Sequence, residues 1–502
     1  MVEGTVELAS FVPRVAKEAV HKPAMIWPSD TITYAELDER TSRLANALEG
    51  EGLAKGEVVA AFMNNSPEMV YVWLATLRAG GVFLPLNSAL KGDMLGYQIW
   101  NSEAKFLFVD SELVDSLAGI PLKSIRVFVN GGEGLPPGLA GEASHEPATV
   151  ERDDPAVILY TSGTTGTPKG VVLPHYAFVN RVREIMDIIH VSRDDVFYNV
   201  LPLYHTSGQV MTTLPALLNG LTVVEDRRFH TTTFWRLAAT SGATVSFLLN
   251  RMVNILLNTT QNYTPNKLRI IMSGGVRRET LERFVGVFGV RLLEGFGMTE
   301  TCGIALYNTL DSNRLGSVGR PLPSVEARLV GGRSDGELEL RPKIPHTMFS
   351  GYLGEKPIAW AKGEWFKTGD ILRIDDEGFY YYVERKKDLI RSRGENIIPS
   401  QIERVAEEFP GVVECAAVGV PGELGDEEIL LALKVEGEVD TLKLMHHLSE
   451  KLPYYMIPRY LLYVDEIPKT PTQKIRREAV RKLGLEGAVD VLKLGFHIAR
   501  PN

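Results

Sequence analysis

Cys302 and Cys415 are the only cysteines in 502 residues. Two thiols cannot build a disulfide framework, so a reducing, cytoplasmic setting is the expectation. Apolar runs long enough for a bilayer are also missing. The longest, near Tyr71 to Leu86, is interrupted by Arg78, Gly80 and Gly81, and no transmembrane segment is expected from it. The N-terminus, Met1-Val2-Glu3-Gly4, has neither the basic stretch nor the apolar core of a secretory signal. Basic charge is in deficit, with a net charge of −9. That argues against nucleic acid as a partner, while a local cluster on an acidic protein can still hold a phosphate. No internal repeat is evident. His446 and His447 are adjacent and would face different sides of a helix, so they do not read as a zinc pair.

The composition, 44% hydrophobic and 23% charged, is that of a globular protein. The length predicts two or more domains. Thr33-Tyr34-Ala35-Glu36 reads as a capping box, with Leu37, Leu44 and Leu48 following at helical spacing up to Gly50 and Gly52. Val58 to Phe62 reads as a buried strand. Ser66-Pro67-Glu68 opens a second helix that stops at Gly80-Gly81, and Val82-Phe83-Leu84 returns as strand. This βαβ unit implies a parallel sheet covered by helices. Residues 130–155 read as a surface connection, and strand–helix alternation resumes from Ala156 to about Ile271. After Val330 short antiparallel strands are expected at Glu337–Leu340 and Gly378–Val383. The charged run Glu384-Arg385-Lys386-Lys387-Asp388 then separates them from a compact α+β pattern: a helix from Ser400, strands from Val412 and over Ile429–Val435, and a helix near Leu442–Leu452. A solvated face is the plain reading of such a run. The predicted fold is α/β. Its large N-terminal domain, 1–386, has βα-layered sheets and a small β region. Its smaller α+β C-terminal domain covers 387–502.

One stretch stands out, Tyr160-Thr161-Ser162-Gly163-Thr164-Thr165-Gly166-Thr167-Pro168-Lys169-Gly170, directly after the apolar Ala156-Val157-Ile158-Leu159. Glycines let backbone N–H groups turn toward an anion, hydroxyls add donors, and Lys169 brings a mobile cation. Such a loop suits a polyphosphate. A flexible linker is the plain alternative, but the apolar runs on both sides predict a fixed, hairpin-like loop. It is not a P-loop, because Lys169 is followed by Gly170 rather than Ser or Thr, and it lacks the spacing of a dinucleotide fingerprint. It resembles the phosphate loop of the adenylate-forming superfamily, whose members include acyl-CoA synthetases, carrier-loading adenylation domains and beetle luciferases.

Further segments resemble that family in order along the chain. Gly295-Phe296-Gly297-Met298-Thr299-Glu300-Thr301 resembles its Gly-aromatic-Gly-x-Thr-Glu motif. The resemblance implies that Phe296 stacks on the purine, that Thr299 meets phosphate, and that Glu300 with Thr165 holds Mg²⁺, a hard cation that takes oxygen ligands. A tight turn with a solvated glutamate is the alternative. Phenylalanine here replaces the usual tyrosine. Ser273-Gly274-Gly275 resembles the segment edging the adenine and the acyl pocket. In Lys367-Thr368-Gly369-Asp370 the family aspartate accepts from both ribose hydroxyls, which two carboxylate oxygens can do; a β-turn aspartate is the other reading. Arg385 is implied at the ribose and phosphate, Lys387 as the hinge, and Gly394 in the loop lining a CoA tunnel. Lys474 resembles the catalytic lysine, with Gln473 in place of the glycine before it.

Pro202-Leu203-Tyr204-His205-Thr206-Ser207-Gly208 resembles a segment beside the acyl pocket. Carrier-loading domains for α-amino acids place an aspartate at position 205. Histidine lacks that fixed negative charge, which speaks against an amino-acid substrate. Glycine at 297, where acetate-specific relatives have tryptophan, is read as room for a longer acid. The implied acyl pocket holds His205, Gly275, Gly297 and Cys302, with Phe234 to Arg251 nearby. His205 and Thr165 join Lys474 as implied catalytic residues. The resemblance implies that Thr161, Ser162, Gly163, Thr164, Thr165, Gly166 and Lys169 hold nucleotide with Gly274, Gly275, Glu294, Gly295, Phe296, Gly297, Thr299, Asp370, Arg385 and Lys474.

The resemblance implies ligation of a carboxylic acid to CoA. ATP and Mg²⁺ first give an acyl-adenylate and pyrophosphate; a domain rotation then lets the thiol displace AMP. A medium- or long-chain fatty acid is the first expectation and an aryl acid the second. Loading of a separate carrier protein, a non-catalytic nucleotide-binding relative and a luciferase-like oxygenase stay open. So does assembly, with a homodimer as one option.

Overall fold

The computed structural model describes residues 8–131, 142–161, 168–332, 335–392, 395–422, 427–470 and 474–496. The chain divides into two compact units. One comprises 1–327, 340–366 and 375–381, and the other 328–339, 367–374 and 382–502. Residues 328–339, 367–374 and 382–386 thus cluster with the later unit.

In the first unit the helix Tyr34–Gly50 carries the expected capping box: the Thr33 side chain accepts from Glu36 N–H, and the Glu36 carboxylate accepts from Thr33 N–H. Its apolar stripe, Leu37, Leu44 and Leu48, is fully buried. Strand Val58–Phe62, helix Pro67–Arg78 and strand Val82–Pro85 form the βαβ unit, with Ser66 capping the helix. The two strands pair in parallel, Val58 against Val82. Arg78, which interrupts the apolar run, is itself buried. Its guanidinium reaches Asp38 Oδ1 at 2.5 Å and the His145 carbonyl at 2.5 Å, so a charge inside the fold has both an ion partner and a hydrogen bond. That contact tethers the connection 130–155, where the described residues form no helix or strand between Asn130 and Pro155.

These strands belong to a seven-stranded sheet, in the order Gly351–Tyr352, Lys169–Pro174, Pro155–Thr161, Val82–Pro85, Val58–Phe62, Phe106–Asp110 and Arg126–Asn130. A nine-stranded sheet includes Val245–Leu249, Ile270–Gly274 and Arg291–Phe296 as parallel neighbours. Its core gathers Tyr198, Phe234, Trp235, Phe284 and Phe288.

The second unit contains helix Pro399–Glu407, strands Val412–Pro421 and Glu427–Val435, and helix Thr441–Lys451, where the sequence placed them. Those two strands pair antiparallel, and Tyr460–Tyr463 adds in parallel. Ile402, Val405, Leu431, Leu444, Leu448 and Leu461 form its core. A buried charge cluster joins three of its segments. Arg477 binds Glu403 through both guanidinium nitrogens, donates to the Ala417 carbonyl at 2.9 Å, and lies 3.4 Å from Glu384 Oε2. Removing one member of a buried ion cluster leaves uncompensated charge. Arg477→Met is therefore expected to destabilise this unit by about 3–5 kcal/mol. Urea unfolding followed by a probe in residues 399–463 checks it; an unchanged midpoint would contradict the role given to the cluster.

Candidate active site

The phosphate-loop segment is held at both ends by the sheet. Strand Pro155–Thr161 runs antiparallel to Lys169–Pro174, pairing Thr161 with Lys169 and Tyr160 with Gly170. A hairpin is what the flanking apolar runs predicted. Ser162, Gly163, Thr164, Thr165 and Gly166 lie outside the described residues. Lys169 is half-buried, with Nζ 2.8 Å from Glu355 Oε1 and 4.6 Å from the centre of the Tyr352 ring.

Glu300 sits in the short turn Thr299–Thr301, buried, with Oε1 accepting from the Tyr352 hydroxyl at 2.8 Å. No other hydrogen bond among the described residues reaches its carboxylate. The turn is anchored by Phe349 N–H on the Glu300 carbonyl at 3.0 Å and by Arg181 on the Thr301 carbonyl at 3.0 Å. Arg181 is fully buried and paired with Glu184. One partly engaged carboxylate fits Mg²⁺, which is usually held by one or two carboxylates plus substrate phosphates rather than by an all-protein cage. Among the described residues no three ligating side chains gather.

Beside this lies a glycine-rich edge. Strands Ile270–Gly274 and Arg291–Phe296 bring Ser273 against Glu294 and Gly274 against Gly295. Gly275 follows with φ +75°, exposed, in the left-handed region that favours glycine. Glu294 holds this bend by accepting from Val276 N–H at 2.7 Å, and burial pushes its pKa up to about 8. Its place is beneath the glycine bend, shaping it. Gly295 is required by packing, since a Cβ there would meet the Tyr307 ring at 1.9 Å. Phe296 is half-buried at the strand end.

Packing bears on three of the acyl-pocket expectations. At Gly297 the backbone leaves no room for a side chain. A Cβ there would meet the Gly303 carbonyl oxygen at 2.0 Å and Ile304 Cα at 2.4 Å, so the chain's own backbone fills the direction a side chain would take. Cys302 is fully enclosed, and burial pushes its thiol up to about 12; it presents no surface to a ligand. Within Phe234 to Arg251, Phe234 and Trp235 are fully buried in the aromatic core. Leu249, paired with Gly274, lies at the glycine edge. His205 is half-buried, with its ring 4.7 Å from that of Tyr204. Burial depresses its pKa to about 4, so it is neutral at pH 7. Its segment adjoins the turn after Glu300: a Cβ on Gly303 would lie 3.8 Å from Thr206 Cβ.

The second unit brings together residues far apart in sequence. Asp370 is 1% exposed, and Arg385 Nε lies 2.7 Å from its Oδ1. The Thr368 hydroxyl accepts from Asp370 N–H at 3.1 Å, with Gly369 at φ +73°. Burial raises the Asp370 pKa to about 6, against the pull of Arg385 and Lys474. Lys474 is exposed as a residue, and its ammonium interacts electrostatically with both Asp370 and Arg385. Desolvation lowers its pKa, Arg385 lowers it further, and Asp370 opposes both. The lysine loop is closed by Thr470 N–H on the Lys474 carbonyl at 2.8 Å and by a bridge between Lys469 and Ile475. Gln473 and Gly394 lie outside the described residues, as does the Lys387 side chain. The Lys387 backbone falls in the turn Lys386–Asp388.

The sequence pattern of the AMP-binding enzyme family matches residues 12–353. The chain belongs to this family. The pattern of the AMP-binding enzyme C-terminal domain matches residues 401–474, ending on Lys474. The indoleacetate–CoA ligase of Aromatoleum aromaticum is 32% identical over 501 residues, covering 95% of this chain and 98% of its own. A long-chain-fatty-acid–CoA ligase of Mycobacterium tuberculosis is 28% identical over 480 residues, covering 91% and 95%. The crystal structure of ATP-bound MatB from Rhodopseudomonas palustris superposes with a TM-score of 0.85 at 30% identity, covering 95% and 98%. As an AMP-forming acyl-CoA synthetase of the adenylate-forming superfamily, this AMP-binding enzyme takes ATP and CoA as co-substrates. The two relatives act on chemically different acids, so membership does not select one. Among the described residues no helix is long and apolar enough to cross a membrane.

Sequence reasoning missed Tyr352, Arg181 and Arg477. Each acts through contacts across more than 50 positions, and none lies in a recognisable spacing pattern.

Proposed function

We propose that this acyl-CoA synthetase activates a medium- or long-chain fatty acid in the cytoplasm through a fatty acyl-adenylate, with Lys474 as the catalytic cation. The observation that carries the reading is the convergence of Asp370, Arg385 and Lys474, which supplies a carboxylate for a ribose diol and two cations for the charge on an attacked α-phosphate. In the first unit, Lys169 with Thr161 and the loop between them would hold the β- and γ-phosphates. Glu300 would hold Mg²⁺, which offsets phosphate charge when bound. The carboxylate attacks the α-phosphorus, the acyl–oxygen–phosphorus bond forms, and pyrophosphate leaves. The CoA thiolate then attacks the acyl carbon and AMP leaves. A neutral His205 provides no countercharge for a substrate ammonium, which favours an uncharged acyl chain over an amino acid. An aryl acid is the second reading, favoured by the indoleacetate-linked relative.

Incubation with Mg·ATP, CoA and a mixed pool of acids, read by mass spectrometry, tests this. Aliphatic acyl-CoA with AMP is expected. An aryl-CoA alone would move the substrate to the second reading. Acyl-adenylate without acyl-CoA would indicate a carrier protein as acceptor. If Lys387 is the hinge, Lys387→Pro slows thioester formation from supplied acyl-adenylate by about tenfold or more while leaving adenylation near wild type. A normal second half-reaction would remove that role.

A further inference from the structure

Tyr352 is the side chain on which the two phosphate-facing groups of the first unit meet. It lies on the two-residue strand Gly351–Tyr352, paired antiparallel with Val171 and Val172, immediately after Lys169 and Gly170. Ser350 N–H on the Val172 carbonyl at 2.9 Å and Leu353 N–H on the Gly170 carbonyl at 2.7 Å fix the strand on both sides. The fit is close: a Cβ on Gly170 would lie 3.2 Å from Leu353 Cβ. The Tyr352 ring therefore has little freedom. One face lies 4.6 Å from Lys169 Nζ, its hydroxyl donates to Glu300 Oε1 at 2.8 Å, and Phe349 packs against it at 5.2 Å between ring centres. Phe349 also donates its N–H to the Glu300 carbonyl, so backbone and side chain of Glu300 are held from one segment.

The second partner of Lys169 is of a different kind. Glu355 is an exposed carboxylate, and exposed pairs contribute little. An ammonium held by a neutral ring and a weak surface pair can exchange Glu355 for a phosphate at small cost, while the ring keeps it in place. On Glu300, a neutral phenol donating to one oxygen orients the carboxylate without neutralising it, as outer partners of metal ligands commonly do.

We propose that Tyr352 is a positioning residue that couples Lys169 to Glu300, so that nucleotide phosphate and divalent cation bind cooperatively. This rests on the assignment of Lys169 to phosphate and Glu300 to the metal made above. The two contacts are separable. Tyr352→Phe keeps the ring under Lys169 and loses the hydroxyl on Glu300. Tyr352→Leu loses both.

The measurements are ATP affinity in EDTA by calorimetry and Mn²⁺ affinity by electron paramagnetic resonance, the latter with and without ATP, alongside melting temperatures of the full chain. Tyr352→Phe is expected to melt with the wild type, to bind metal-free ATP unchanged, and to lose about tenfold in Mn²⁺ affinity in the presence of ATP. Tyr352→Leu is expected to lose the same metal affinity and a further ~2–5-fold for metal-free ATP. Wild-type Mn²⁺ affinity in both variants overturns the coupling. Equal loss of metal-free and metal-bound ATP affinity in Tyr352→Phe also overturns it, since a merely structural role would act that way. If the wild type binds no ATP with or without Mn²⁺, the phosphate and metal assignments themselves fall, a result distinct from both.

Discussion

Replacing Lys474 by alanine is expected to slow acyl-adenylate formation by about 10²–10³-fold, the usual loss when one preorganised stabiliser of developing charge is removed. The carboxylate and the α-phosphate are both anionic, so their approach is opposed until a cation stands between them. Desolvation and the Arg385 cation already lower the Lys474 pKa. The ammonium is therefore held at a cost, and the cost is offset when an anion arrives. Thioester formation from supplied acyl-adenylate needs no such approach of two anions and is expected to change little. Pyrophosphate exchange measures the first step and CoA-dependent AMP release the second; equal loss in both would sink the assignment.

Replacing Asp370 by asparagine is expected to separate binding from stability. The folded-state pKa of Asp370 is raised from 3.8 to about 6, chiefly by burial. A carboxyl raised in this way favours the folded state fully below about 3.8, and that contribution is lost as pH rises through 6. A displacement of this size corresponds to about 2–3 kcal/mol. With 1% exposure, solvent screens little of it. The neutral Asp370→Asn protein is therefore expected to be at least as stable as wild type at pH 8, with the advantage disappearing toward pH 4. Nucleotide affinity should move the other way. An ionised carboxylate can accept from both ribose hydroxyls, and losing a charged acceptor costs about 1.5–3 kcal/mol, or roughly 10–100-fold in ATP affinity. Wild-type affinity should fall as pH drops below about 6, while the asparagine protein should be flat across that range. Denaturation and ATP titration at pH 5, 6.5 and 8 check both. A pH-independent wild type would show that Asp370 does not meet the ribose.

The features legible in sequence are those whose cause is local. Thr33 and Glu36 cap a helix because they stand three positions apart. Pro67 suits the first turn of a helix because its missing N–H is an orphan there anyway. The apolar runs around residues 160–170 pair as a hairpin because each is short, buried and close to the other. The motifs holding Glu300, Asp370 and Lys474 are likewise short spans whose residue types suggest their chemistry.

What the tertiary structure decided are the cases in which a space or a charge is filled from elsewhere. At Gly297 the direction a side chain would take is occupied by the backbone of Gly303 and Ile304, which lie several positions along the chain. Phe234 and Trp235 have the apolar character of a substrate pocket, yet ring packing with Phe284 and Phe288 places them in the core. Tyr352 reaches Glu300 only because a two-residue strand pairs with residues about 180 positions earlier. By itself the sequence determined the family and the order of the elements and named the candidate site residues, since hydrogen-bonding reach and side-chain periodicity act over a few positions. Strand register and burial decided which of those residues touch, which are neutral at pH 7 and which are sealed in the core, because pKa and access depend on neighbours brought together only by long-range packing.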